Sequence, residues 1–387
     1  MQGRSSVTTT RLAALLGLAA ILAAILAALI GPWLAAGPAQ ADGPTQWNGP
    51  ESLVFSPDVL AGTMARLATD DPALTPALRA LIRDADAAMA APAESVVLKP
   101  GPPPGGGLHD YWSLDPGFAD TADPCAETFD RMRMRRMTRH VLTLALAWKL
   151  TGKEDYAGKG TSLLWAWCSD SMTRARPHLD RARTRPGSIF GTPAGIIEGR
   201  DMIAAAEAAC LLATSPAWSG PVDQAVRGWF ADSLHWLRHS EPGRLASADQ
   251  GCLGLWYAAQ VAAFARFTGD ADLARATAEG VRQRIAALIG PDIPAPDRLT
   301  LRAMLTLAAV AEGAGVDLWH TTGLREMLDA RAAGPKDTAP VDTDCADRLH
   351  PPDDAPLFHR AAMVYKEPRY HDLASPAADH ARAGLAH

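Results

Sequence analysis

The sequence predicts an all-α protein whose helices form antiparallel hairpins, stacked as a toroid or a solenoid. Apolar residues recur with helical spacing along most of the chain, and no run shows the two-residue alternation of an exposed strand. The motif ALAWKLTGKEDYA at residues 145–157 recurs as AAFARFTGDADLA at residues 262–274. In both copies an apolar helix ends at a turn containing glycine, and an acidic first turn begins the next helix. Because a single hairpin leaves its apolar faces uncovered, repeated hairpins are expected to stack on one another.

Residues 1–41 have the pattern of an export signal peptide. Arg4 and Arg11 precede an apolar run at residues 12–30, and the sequence AQA at residues 39–41 supplies a cleavage signal. The sequence therefore predicts a periplasmic or secreted protein with no stable membrane insertion once the signal is cleaved. The alternative is an uncleaved anchor, since the apolar run is long enough to span a bilayer.

Composition narrows the possible functions. The 387 residues are 48% hydrophobic and 21% charged, enough for one large core or two modest ones. The net charge of -6 excludes a general nucleic-acid binder, so any polyanion must be bound locally. The five cysteines lack metal-ligand spacing and no zinc, nucleotide or P-loop motif is present, so we expect no metal and no cofactor. Export would allow some cysteines to oxidise, and their odd number leaves at least one free or paired between chains.

The predicted elements begin with a helical lead-in at residues 42–95. A long ordered loop or lid is predicted at residues 98–124, because the Pro and Gly residues there exclude regular structure. The helical patterns, taken in order, lie at residues 52–69, 78–89, 127–150, 155–168, 195–213, 222–239, 254–267, 271–289, 297–314, 324–332 and 356–365.

Three polar clusters interrupt the apolar helices. The first, HDYWSL at residues 109–114, combines a His, a Tyr and a Trp that are suited to face a sugar ring. The second, residues 173–187, carries five arginines against one acid, Asp180, and suits a carboxylated or sulfated polymer; a solvated loop is the alternative. The third, GIIEGRDM at residues 195–202, places Glu198 and Arg200 at a helix start, where a structural charge pair is the simpler interpretation.

Residues 247–270 predict a buried helix with a special N-terminus. Gly251 and Gly254 precede an apolar helical pattern that stops at Gly269. Glycines allow close backbone approach and the first turn of a helix presents free N–H groups, so an anionic ligand is one prediction. The alternative is that the glycines only shape a turn.

At these clusters the sequence resembles the alginate lyase domain family, one of the helical-toroid polysaccharide lyases, a superfamily that includes chondroitin AC lyase. The likeness runs from about residue 96 to residue 373 and rests on the order and spacing of several motifs. The resemblance implies an incomplete (α/α) toroid at residues 96–375, followed by a tail at residues 376–387. The most specific matches are HDYWSLDP to K-H-D-Y-x-S-L-x-P, TRARPHLDRARTRPG to T-R-M-N-P-N-L-x-Y-A-Q-x-x-P-G, GIIEGRDM to G-I-I-D-T-R-G-L, and LWYAAQVAAFARFTGD to T-W-Y-D-V-Q-V-A-A-L-A-L-F-x-G-D.

The resemblance further implies β-elimination on a uronate polymer. A base removes the C5 proton after donors or cations neutralise the adjacent carboxylate. In the family a Tyr commonly serves as base and acid, while an Asn-His pair and an Arg hold the carboxylate. The Asn-His pair corresponds here to Cys252 and Leu253. The later family motif keeps its Arg as Arg298, but its Tyr position holds Arg302.

We therefore expect an exported alginate-lyase-like enzyme that acts on an acidic polysaccharide through a relocated site. Two alternatives remain: a toroid that binds an acidic glycan without cleaving it, and a toroid glycoside hydrolase with paired carboxylates such as Asp249 and Glu198. The predicted catalytic residues are His109, Tyr111, Tyr257 and Arg298. The predicted substrate-binding residues are Trp112, Arg174, Arg176, Arg183, Arg185, Arg200, Gln250, Trp256 and Arg302.

Overall fold

Helices dominate the computed structural model, which describes residues 47–120, 122–287, 297–321, 323–333 and 354–373. The predicted signal peptide, the tail at residues 376–387 and Cys345 lie outside the described residues. The all-α prediction is confirmed by the α-helices of the described ranges: α1 (Pro57–Ala68), α2 (Thr75–Ala90), α3 (Arg131–Thr151), α4 (Glu154–Cys168), α5 (Asp201–Leu212), α6 (Gly220–His239), α7 (Glu241–Ala248), α8 (Cys252–Thr268), α9 (Ala271–Ala287), α10 (Arg298–Glu312), α11 (Leu324–Ala333) and α12 (Ala355–Tyr365).

The repeated sequence motif forms two helical hairpins. The first copy joins α3 to α4 and the second joins α8 to α9, and each pair of helices packs together. Gly152 and Gly269 end the first helix of each pair with φ angles of 70° and 93°. This left-handed conformation favours glycine, which explains why the motif contains a glycine at this position.

The helix predicted at residues 195–213 is divided into two elements. Pro193–Arg200 forms a 3₁₀ helix, and α5 begins only at Asp201. A Cβ atom at Gly195 would lie 2.6 Å from the Cβ of Ala182, and one at Gly199 would lie 2.3 Å from Oε1 of Gln260. These close approaches require glycine at both positions. Because each glycine weakens an α-helix by about 1 kcal/mol, the α-helix begins only after them.

A short parallel ladder joins the predicted long loop to the basic loop at residues 173–187. Strand β1 (Trp112–Leu114) pairs with β2 (Arg181–Thr184), with Trp112 opposite Arg181 and Leu114 opposite Thr184. Strands this short show no alternation, and the partner lies far along the chain, so local sequence patterns gave no sign of the pairing. The helix α7 was also missed; it begins with Ser240 as its N-cap, whose hydroxyl accepts from the N–H of Gly243 at 3.1 Å.

The helices pack around one apolar core. Helix α3 packs against α2, α4 and α5, and α8 packs against α6, α9 and α10. The chain before α1 is fixed to this core by Glu207 on α5, whose buried carboxylate accepts from the N–H groups of Leu53 and Val54. None of the helices in the described ranges has the length and apolarity needed to cross a membrane.

A buried ion cluster joins α3 to the start of α5. Arg131 donates to Asp201 at 2.7 Å, Arg135 donates to the same carboxylate, and Arg200 lies beside it. Burial favours the neutral acid, but the guanidinium groups outweigh burial and hold the pKa of Asp201 well below its usual range. The cluster therefore fixes the packing of α3 against the segment that leads into α5.

Replacing Arg131 with Met should lower the free energy of unfolding by about 3–5 kcal/mol, because Asp201 loses a partner inside the protein. Arg325→Met is the matched control, since Arg325 is half exposed and lies 4.0 Å from Asp329 one helical turn away. We expect that variant to lose about 0.5 kcal/mol or less. Urea unfolding followed by circular dichroism measures both values. If both variants lost the same free energy of unfolding, the buried cluster would not stabilise the protein more than an exposed ion pair does.

Candidate active site

The buried carboxylate of Glu198 binds side chains from the two strands of the ladder and from the residue just before β1. Glu198 accepts from the hydroxyls of Tyr111 at 2.8 Å and Ser113 at 2.7 Å. Arg183 donates to the same carboxylate at 3.3 Å and has a φ of 52°. Ser113 also accepts from the N–H of Arg183, so the strands and the 3₁₀ helix share one polar network. Tyr111 and Arg183, both predicted site residues, are therefore buried and bonded to Glu198.

The basic loop at residues 173–187 pairs with acidic residues on both sides of β1, Asp110 before it and Asp115 after it. Arg176 lies 3.1 Å and Arg181 3.6 Å from the buried carboxylate of Asp110. Arg185 pairs with Asp115 at 3.3 Å. Burial opposes ionisation of Asp110, yet a backbone N–H donor and the neighbouring cations lower its pKa. These carboxylates supply the counter-charge without which arginines on one loop would repel.

His178 is a residue of this loop that the sequence did not single out. Its Nδ1 lies 3.3 Å from Asp180 and its Nε2 lies 3.5 Å from Asp110. Trp236 on α6 donates to Asp180 at 2.8 Å, which ties the loop to the helix. Burial lowers the pKa of His178 in spite of the two carboxylates. The available signal was its position in the family motif, where Asn is replaced by His.

A small cavity lies below the loop, between α6, α8 and the 3₁₀ helix. It encloses about 20 Å³, enough for one water molecule and too little for a sugar ring. The indole N–H of Trp167 faces this region and has no hydrogen-bond partner within the described residues. The cavity can therefore hold a water molecule but not a sugar ring. Six of the lining residues define its walls: Trp167, His178, Trp229, Trp236, Gln260 and Phe264.

The start of α8 is occupied by a carboxylate of the protein itself. Oδ1 of Asp249 accepts from the N–H groups of Gly251 at 2.9 Å and Gly254 at 3.0 Å. A Cβ at Gly254 would lie 1.9 Å from the carbonyl oxygen of Asp249 and 2.1 Å from Arg284. The glycine is thus required by close packing, and Asp249 already uses two of the N–H groups that an anion would need.

Cys252 lies where α8 meets the start of α10. Its thiol is hydrogen-bonded to Thr300, and Arg200 lies close enough to influence it. Burial raises the pKa of Cys252 to about 11, so the thiol stays protonated at neutral pH and is a poor nucleophile. The position of the family's Asn-His pair therefore lies next to Arg200 and α10. The side chains that occupy it here, Cys252 and Leu253, cannot neutralise a carboxylate.

The two arginines of α10 share an acidic partner. Nε and Nη2 of Arg298 each lie 2.9 Å from the buried carboxylate of Asp354, and Nε of Arg302 lies 3.9 Å from it. Arg302 also packs over the ring of Trp256 at 5.8 Å. Neither Asp354 nor its pairing was visible in the sequence, because the residue lies far from α10 along the chain.

The predicted site residues fall into two groups. His109 belongs with the basic loop, since its Nδ1 lies 2.6 Å from the carbonyl of Arg174. Within the described ranges, no hydrogen bond or ion pair joins His109, Tyr257 or Arg298 to one another. The ladder group contains His109, Tyr111, Trp112, Arg174, Arg176, Arg183 and Arg185. The helix-start group contains Arg200, Gln250, Trp256, Tyr257, Arg298 and Arg302.

Contacts through α8 connect the two groups. Gln260 donates to the carbonyl of Ile196 at 2.9 Å and lines the cavity together with His178. Tyr257 lies one turn earlier on the same face of α8, half-buried, with Arg238 of α6 nearby. Gln250, exposed, donates to the carbonyl of Ala248. In the parts of the chain that the structure describes, no three His, Cys, Asp or Glu residues are grouped to hold a metal ion.

Comparisons with known proteins agree on one family. Residues 100–292 match the family described as alginate lyase. An alginate lyase from Bacteroides ovatus is 24% identical, with a TM-score of 0.73 over 86% of this chain and 98% of that chain. Alginate lyase A1-III from Sphingomonas species A1 is 18% identical, with a TM-score of 0.53 over 91% of this chain and 99% of that chain. A His-to-Ala variant of alginate lyase A1-III, complexed with tetrasaccharide, is 19% identical, with a TM-score of 0.53 over 90% and 97% of the two chains. No curated protein matches the sequence.

The stacked helical hairpins share the helical-toroid fold of alginate lyases of known structure, and the family match places the protein in the polysaccharide lyase class. The chain belongs to the alginate lyase family, as its motifs indicated. The family match covers the basic loop, the 3₁₀ helix and α8, and it ends before α10. The arginines of α10 therefore lie outside the residues that the family match covers.

Replacing Gly254 with Ala should lower the free energy of unfolding by about 1–3 kcal/mol, because the added methyl group overlaps the backbone of Asp249. Gly228→Ala on α6 is the control, since Gly228 is exposed and a Cβ there would meet no atom within 4 Å. That change should stabilise the protein by about 0.5–1 kcal/mol. Denaturant unfolding measures both. A neutral Gly254→Ala variant would show that the start of α8 can shift without cost.

Proposed function

We propose that this protein is an exported polysaccharide lyase that cleaves a uronate-containing polymer by β-elimination. The observation that carries the proposal is the group of cations at the starts of α5 and α10, beside the position that the family uses for its Asn-His pair. A disulfide at Cys125 supports export, since disulfides persist in oxidising compartments. The exported form is periplasmic or secreted.

Charge neutralisation is the first requirement of the reaction. Loss of the C5 proton places negative charge on the uronate carboxylate, and adjacent cations lower the barrier by stabilising that charge. Arg298 is suited to this role because its side chain is 32% exposed although Asp354 fixes one of its edges. Arg200 and Arg302 add positive charge from within the protein, where they are 4% and 9% exposed.

Tyr257 is the base that the geometry favours. The hydroxyl of Tyr111 already donates to Glu198 in a buried network, so proton abstraction by Tyr111 would break that network. Tyr257 is half-buried on the face of α8 that leads to the cavity, and its hydroxyl has no hydrogen-bond partner within the described residues. After abstraction, the same hydroxyl returns a proton to the leaving O4 in the proposed mechanism. His109, which lies on the basic loop, is the second candidate for the base.

The basic loop is the surface proposed to hold the polymer. Arg174, Arg176 and Arg185 are exposed, and a row of cations along a loop suits the repeating carboxylates of a polyuronate. Trp112, beside the basic loop, and Gln250, before α8, are proposed to contact sugar hydroxyls or ring faces. Because exposed charges are screened by salt, binding through the loop should weaken as ionic strength rises.

Cleavage is tested by incubating the purified protein with alginate, polyglucuronate and glycosaminoglycans while ultraviolet absorbance of the new C4=C5 double bond is followed. Tyr257→Phe should reduce kcat by about 100-fold or more while polymer binding is retained, because the base is lost but the cations remain. Tyr111→Phe is the matched control and should retain most of the wild-type kcat. The reverse pattern would assign the base to Tyr111.

The pH dependence of cleavage identifies the base independently. Burial raises the pKa of Tyr257 above its ordinary value, so the reactive deprotonated form increases as pH rises. We expect kcat/KM to rise by up to about tenfold per pH unit between about pH 6 and pH 9 without a plateau. A histidine base would instead give a plateau above about pH 7.5. A plateau there would contradict the assignment to Tyr257.

Binding without cleavage is the second candidate function. It is favoured by Cys252 and Leu253, which replace the Asn-His pair and can neither donate strongly to a carboxylate nor accept a proton. Retained polymer binding without new absorbance would establish this function.

Hydrolysis is less well supported, because the carboxylate of Glu198 is buried and accepts from three donors, and Asp249 caps α8. New reducing ends without absorbance would establish hydrolysis.

A further inference from the structure

One buried carboxylate holds both arginines at the start of α10. Asp354 has no exposed surface, and its two oxygens each accept one N–H of Arg298 at 2.9 Å. Nε of Arg302 lies 3.9 Å from Oδ2 of the same carboxylate. A bidentate arginine–carboxylate pair fixes the plane as well as the position of the guanidinium.

The carboxylate of Asp354 does not act as a helix cap. The residue is the N-cap of α12, where an Asp side chain usually accepts from an N–H of the first turn, but no such bond forms. The side chain is directed to α10 instead, which is one of the helices that α12 packs against. The position of Asp354 is therefore better explained by the arginines than by the stability of its own helix.

The two arginines need such a partner. Arg298 and Arg302 are four residues apart on one helix face, where like charges repel. Aromatic rings complete the environment: Arg298 lies over Phe358 at 5.4 Å and Arg302 lies over Trp256 at 5.8 Å.

We propose that Asp354 is a positioning residue that holds Arg298 and Arg302 in the orientation that binds the substrate carboxylate. This inference rests on the proposed function. Arg298 keeps an exposed edge while Asp354 is inaccessible, so the substrate carboxylate binds the outer edge and Asp354 holds the inner one. Arg302 lies over Trp256, one turn after Cys252 on α8, which brings the pair of arginines near the position of the family's Asn-His pair.

The test measures binding of size-defined alginate oligosaccharides by calorimetry, together with KM and kcat. Asp354→Asn keeps the shape of the side chain and its capacity to cap α12, but removes the charge that orients the arginines. We expect Kd and KM to rise by about tenfold, the effect of losing one charge-assisted hydrogen bond. Glu312→Gln is the matched control, because Glu312 pairs with Arg360 between the same two helices at the far end of α10. That variant should bind as the wild type does.

A double-mutant cycle separates positioning from stability. In the Arg298→Gln background, Asp354→Asn should change Kd by less than about threefold, because the bidentate partner of Asp354 is gone and only Arg302, 3.9 Å away, remains to be oriented. An equal change in both backgrounds, or an equal loss in Glu312→Gln, would overturn the inference, as would tighter binding by Asp354→Asn. Thermal unfolding confirms that each variant is folded at the assay temperature. If the wild type binds no uronate polymer, the proposed function itself fails; if it binds and Asp354→Asn binds equally well, only the inference fails.

Discussion

Pairing of buried arginines with buried carboxylates is the constraint on which the site of this protein depends. Asp201 holds Arg131 from α3, and Glu198 holds Arg183 from β2. Removing one partner of such a pair leaves an uncompensated charge and costs about 3–5 kcal/mol, so the pairs act as strong restraints between segments that are distant in sequence. The positions of the ladder, the 3₁₀ helix and α3 relative to one another follow from these restraints.

The same pairing explains how an acidic protein can carry a basic surface. The arginines of the loop at residues 173–187 pair with Asp110, Asp115 and Glu198, while three of the arginines remain exposed. The five arginines outnumber these carboxylates and Asp180 together, so the loop keeps a positive charge. A polyanion would meet a local positive surface on a chain whose net charge of -6 would otherwise repel it.

The start of α8 shows how a family fold can retain its geometry while its chemistry changes. Gly254 is required because the backbone of Asp249 and the side chain of Arg284 occupy the space of a side chain. Cys252 and Leu253, two residues before and directly before this glycine, differ from the family's Asn-His pair. In this chain the positive charge near that position comes from arginines on neighbouring elements.

The sequence by itself determined the all-α class, the repeated hairpins with their glycine turns, and the family. These features depend on helical periodicity and on residues close together in the chain, and both are visible in one sequence. It also marked the arginines of the loop and of α10 as candidates. Only the tertiary structure decided their surroundings: it paired β1 with β2, bonded Tyr111 to Glu198, placed His178 between two acids and brought Asp354 to Arg298. The physical reason is that buried charges select partners by distance in space, which no local pattern records.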